Sequence, residues 1–107
     1  MSDRIAVFKQ MLESDPENPV VLFGLANEYL KNGDNKEAIR TLEAYLKFET
    51  DEGAAYGMLA RAYEATGDEE SAVAAYKKGI DVSIAHGHPS MASEYKMTLE
   101  IDYADRS

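Results

Sequence analysis

The chain has no cysteine. That excludes a disulfide scaffold, a thiol nucleophile and any thiolate metal site. It also has no long apolar run: the longest, Val20 to Ala26, is far too short to cross a bilayer. Charges at Asp3, Arg4 and Lys9 are followed by no apolar core, so no secretory signal is read at the N-terminus. Basic residues are scarce: 11 lysines and arginines stand against 20 aspartates and glutamates, a formal net charge of −9. Such a surface repels phosphate backbones and anionic lipid headgroups, so neither nucleic acid nor membrane is expected as a partner. Strand signals are missing too, because no stretch alternates apolar and polar residues with β-branched enrichment. A chain of 107 residues is one domain's worth, and the expected location is cytoplasmic.

What is present is helical spacing. Ile5, Phe8, Met11 and Leu12 recur at three and four residues and make one apolar face. Ser14 to Pro19 interrupts that helix, because proline cannot continue it. Leu22, Leu25, Ala26, Tyr29 and Leu30 form a second face, which Asn32-Gly33 stops. Asp34 is placed to cap a third helix with Glu37 as its capping-box partner, and Ile39, Leu42, Tyr45 and Leu46 follow. A fourth helix carries Tyr56, Leu59, Ala60 and Tyr63 and stops at Thr66-Gly67. Asp68 caps a fifth, lined by Val73, Tyr76 and Ile80 and running to about Ala85. After Gly87, Pro89 opens a sixth, with Met91, Tyr95, Leu99 and Ile101 facing inward. The tail Tyr103 to Ser107 is expected to fray.

Two stretches say nearly the same thing. YLKNGDNKEA begins at Tyr29 and YEATGDEESA at Tyr63, an offset of 63 − 29 = 34 residues. Two helices with short turns, repeated at that spacing, are the signature of a stacked helical hairpin. The chain here resembles the tetratricopeptide repeat family. Leu22, Leu25, Ala26, Tyr29, Ala38 and Leu42 occupy the family's motif positions in one repeat, residues 19–52. Tyr56, Leu59, Ala60, Tyr63, Ala72 and Tyr76 occupy them in the next, residues 53–86. Tyr45 departs from the family's small residue late in the second helix, where the second repeat has Gly79. Residues 2–14 resemble the second half of a repeat, and residues 89–104 a terminal capping helix. The resemblance implies an all-α fold of about six antiparallel helices in a right-handed superhelix.

It also implies a binding function. First helices of successive repeats line a concave groove that holds a peptide or partner helix. By position the groove candidates are Phe23 and Asn27 from the first repeat, Gly57 and Arg61 from the second, and Met91 and Tyr95 from the last helix. Phe23, Met91 and Tyr95 would supply apolar contacts, Asn27 a pair for peptide backbone, and Arg61 a fork for a carboxylate. Phe23 and Gly57 stand where a C-terminal carboxylate clamp places a cation. The alternative for Arg61 is a surface pair with Glu64 or Glu28, and for Phe23 and Tyr95 ordinary core.

No nucleophile, base and orienter converge in the pattern, and no phosphate loop is present, so no catalysis and no cofactor is expected. His86 and His88 flank a turn glycine, and Glu94 is the one further ligand type nearby in sequence, so polar turn residues are expected there and no metal site is read. The expected function is a non-catalytic protein–protein interaction module with a protein or peptide partner. The second reading is self-association, a homodimer through open repeat ends or the groove.

Overall fold

A computed structural model describes residues 3–104. Six helices follow one another: α1 (Asp3–Ser14), α2 (Pro19–Lys31), α3 (Asn35–Leu46), α4 (Ala54–Ala65), α5 (Glu69–Ala85) and α6 (Pro89–Asp102). No strand occurs among the described residues. They group into two compact units, one ending at Thr50 and the other beginning at Asp51. The first holds α1, α2 and α3; the second holds α4, α5 and α6.

The helix ends follow from local chemistry. Asn18 accepts from the backbone N–H of Val20 and of Val21 at 3.0 and 3.3 Å, satisfying two donors that the first turn of α2 leaves unpaired. At the other end Gly33 adopts a φ of 78°, which costs a side-chain-bearing residue far more. The turn lets the Asp34 N–H reach back to the Tyr29 carbonyl at 2.9 Å. The same device ends α4, where Asp68 N–H donates to Tyr63 carbonyl at 2.9 Å, and α5, where His88 N–H donates to Ser83 carbonyl at 2.8 Å. Before α4, the Asp51 carboxylate accepts from the N–H groups of Gly53 and Ala55 at 2.8 and 3.0 Å.

Packing then follows from residue size. In the first unit Ile5, Leu25, Tyr29 and Ala38 form a cluster, with Phe8, Leu12 and Leu30 packed against it. The edge of the Phe8 ring comes within 2.9 Å of where a Cβ on Gly24 would sit, so α1 approaches α2 closely at a glycine. Ala26, Ala38, Ala60 and Ala72 are all fully buried, as close helix approach requires. Tyr95 of α6 fills the second unit: its ring covers Gly57 of α4 and Gly79 of α5, and its hydroxyl donates to the Gly53 carbonyl at 2.8 Å.

Four expectations are corrected. Met11 and Ile101 are exposed rather than inward, because each lies on the side of its helix turned away from the one that packs on its neighbours. Asp34 makes no side-chain cap bond, and Glu37 instead pairs with Arg40 at 2.6 Å. Tyr103 does not fray: it is buried and hydrogen-bonded, while Asp105, Arg106 and Ser107 lie outside the described residues.

Candidate functional site

The first unit carries a hollow of about 250 Å³ lined by Pro19, Val20, Phe23, Tyr45 and Thr50. Its floor is aromatic. The Phe23 and Tyr45 rings pack 5.1 Å apart at a tilt of 51°, a geometry aromatic quadrupoles favour. Val20 stands at the rim, 80% exposed, at the capped first turn of α2. Asn27 follows Phe23 by one helical turn and is half-buried.

In the second unit the corresponding positions, 34 residues on, are Gly57 and Gly79. The space that Phe23 and Tyr45 fill with their own rings is filled there by Tyr95 from α6. Gly57 and Tyr95 are therefore internal to the second unit, and both are buried. Met91 is half-buried, with its sulfur against Gly53. Arg61 is exposed and belongs to no ion pair among the described residues. Of the two carboxylates considered for Arg61, Glu28 pairs with Lys31 at 3.3 Å and Glu64 accepts from tyrosines. A second hollow of about 250 Å³ lies on the α4–α5 hairpin between Tyr56, Tyr63 and Lys78.

The polar chemistry gathers at Glu64. Tyr103 donates to one of its oxygens at 2.6 Å and Tyr76 to the other at 3.2 Å. Burial, and then the Glu64 charge, push the Tyr76 hydroxyl up to about 12. Burial and the hydrogen bond to Glu64 raise Tyr103 as well. Both hydroxyls are protonated donors at neutral pH, and the upward shifts extend that state into alkali, which suits a structural clamp. At the α5–α6 turn, His88 Nε2 lies 2.5 Å from Glu52 Oε1, and that contact holds the Glu52 carboxyl below its ordinary range. No group of three potential metal ligands occurs among the described residues.

Sequence reasoning missed Tyr45 and Thr50 as walls of the hollow. The signal was available in Tyr45, a ring where the repeat pattern has a small residue.

Paired helices, glycine stops and buried alanines recurring at a fixed interval define a helical-hairpin repeat protein. The family model described as Tetratricopeptide repeat matches residues 5–57 and again residues 29–82. The chain belongs to the tetratricopeptide repeat family, whose repeats mediate protein–protein interaction and are generally non-catalytic. The TPR repeat-containing protein PA0015 of Pseudomonas aeruginosa is 28% identical over 99 residues, covering 92% of this chain and 92% of that protein. The solution structure of protein BPP2914 from Bordetella parapertussis shares the fold with a TM-score of 0.77 at 22% identity, over 94% of this chain and 87% of that one. No helix of the described residues is long and apolar enough to cross a membrane.

Proposed function

We propose that this chain is a non-catalytic protein-binding module that seats one large apolar side chain of a peptide or partner helix in the hollow over Phe23 and Tyr45. The observation that carries the reading is Val20, 80% exposed at the rim of a hollow floored by two rings. Scattered exposed aliphatics are ordinary, but a concave apolar site with a few polar groups beside it is the usual form of a binding pocket. The Asn27 amide, one turn away, is of the right type to pair with peptide backbone. Arg61, the exposed cation at the matching position of the second repeat, can meet a carboxylate with both of its forked donors. The net charge of −9 favours basic or neutral partners in the encounter.

The test is a peptide selected from a random library on the intact protein, with its affinity then measured on variants. Phe23→Ala should weaken binding by about thirtyfold, the scale of a central anchor. Val20→Asp should weaken it comparably by charging the rim. Unchanged affinity in both variants would remove the hollow from the account.

A further inference from the structure

Glu49 breaks a rule that other helix ends in the chain keep. Past α2, α4 and α5 the backbone turns left-handed at a glycine: Gly33, Gly67 and Gly87 have φ of 78°, 83° and 77°. Past α3 the left-handed residue is Glu49, at φ 55°, the one residue with a side chain that has positive φ among the described residues. Phe48 and Glu49 donate their N–H groups to the Tyr45 and Leu46 carbonyls at 3.2 and 3.1 Å, which closes α3 tightly before the turn. A left-handed residue other than glycine is uncommon, and the exceptions favour asparagine, aspartate and histidine over glutamate. The second repeat has no such break. Ser83, 34 residues on, lies inside α5, which has 17 residues where α3 has 12.

Backbone strain of this kind clusters where a protein binds or reacts. Here the next residue, Thr50, is a wall of the hollow over Phe23 and Tyr45. Glu49 is exposed, and its carboxylate enters no ion pair among the described residues. We propose that Glu49 is a specificity residue of that hollow: it selects peptides or partner helices that carry a lysine or arginine next to the apolar side chain seated over the rings. The proposal rests on the binding reading above and names ligand chemistry that the reading leaves open. Charge complementarity supports it. The net charge of −9 draws cations toward the whole chain, whereas a carboxylate beside the hollow fixes where along the ligand the cation falls. Lys47, the nearest cation in sequence, is exposed and does not pair with Glu49. A glycine would make the same turn at less cost but would bring no charge to the rim.

The experiment takes peptides selected from a random library on the whole chain and remakes each with glutamine in place of its cation. Selected peptides should carry lysine or arginine within two residues of a bulky apolar residue. The wild type should prefer the cationic form about fivefold at low salt, the scale of an exposed ion pair, and less at high salt. Glu49→Gln and Glu49→Gly should both erase that preference while leaving affinity for the glutamine form unchanged. Glu100→Gln removes the same charge from α6, in the other unit, and should leave the preference intact. Glu49→Gly should also melt at a higher temperature than the wild type, because glycine relieves the left-handed turn. Selected peptides with no cation near the apolar residue overturn the proposal while the apolar seat stands. So does a preference that survives Glu49→Gln, or an equal loss in Glu100→Gln. A Glu49→Gly chain that melts lower shows that the carboxylate serves stability, and overturns it too. Binding unaffected by Phe23→Ala and Val20→Asp removes the seat itself, and the proposal with it.

Discussion

Tyr103 and Glu64 are 39 residues apart in sequence, and the Tyr103 hydroxyl donates to the Glu64 carboxylate at 2.6 Å. The bond fastens the end of α6 to α4, beside the hydroxyl of Tyr76, which donates to the other carboxylate oxygen. The Tyr76 ring packs 6.4 Å from Tyr103 and 5.8 Å from Tyr95, so hydrogen bonds and ring contacts form one cluster. Tyr103→Phe keeps the ring and removes the donor. It should cost about 1 kcal/mol, since the bond is charge-assisted but only partly buried. In a thermal melt that corresponds to a fall of about 4–8 °C for a chain of this size. An unchanged melting temperature would mean that water replaces the hydroxyl without loss.

The same cluster makes stability sensitive to alkali. Tyr76 is pushed up to about 12 from an ordinary value of 10, and Tyr103 and Tyr95 are raised as well. The folded state therefore holds these protons more tightly than the unfolded chain does. The resulting stabilisation is complete below pH 10 and is lost as pH climbs through the folded values. Chemical denaturation across pH 8 to 12 should show a steep decline. A Tyr76→Phe, Tyr103→Phe double variant should start lower and decline less. Parallel pH profiles for wild type and variant would contradict the cluster's role.

Gly79 is closed to any side chain. A Cβ there would sit 2.8 Å from the Tyr95 ring and 3.0 Å from the Cβ of Tyr56. Gly79→Ala should destabilise by about 1–3 kcal/mol through overpacking, although alanine favours a helix interior more than glycine does. Tyr95→Leu made together with Gly79→Ala should recover part of that loss. A stabilised single variant would show that the Tyr95 ring moves aside freely.

The matched capping positions Asp34 and Asp68 should respond differently. The Asp68 carboxylate accepts from the Ser71 N–H at 3.1 Å and from the Ser71 hydroxyl at 2.7 Å, which lowers its pKa. Asp34 faces Glu37 at the corresponding position and makes no cap bond. Asp68→Ala should lower the melting temperature by several degrees and Asp34→Ala by much less. Because the Asp68 pKa is depressed, its contribution is present above its ordinary value of 3.8 and is lost as pH falls through the lowered one. The gap between the two variants should therefore narrow in strong acid.

These pairs show what a sequence can and cannot disclose. Helix limits were legible because the glycines at 33, 67 and 87 are local signals with local causes. The buried faces of α2 and α5 were legible because each packs on a helix at either side within its own unit, which selects a clear spacing. On α1 and α6 the spacing alone did not say which apolar residues turn outward, so Met11 and Ile101 were placed inside. Tyr103 sits in an otherwise polar tail and is held by a residue far away in sequence, which no local pattern reports. Asp34 and Asp68 look equivalent until the residue three positions on is considered: serine steadies one carboxylate, and Glu37 offers the other no donor. In the proposed site, repeat position alone singles out Phe23 and Asn27, and of the two it is Phe23 that lines the hollow. Gly57 and Tyr95 were not, because Tyr95 inserts into space that the first repeat fills with its own rings.

The most direct test of the binding account is a chemical-shift map. A library-selected peptide is titrated onto isotope-labelled protein and amide and aromatic resonances are followed. The account predicts the largest shifts at Val20, Phe23, Asn27, Tyr45 and Thr50. Saturable binding that leaves those five unmoved would contradict it.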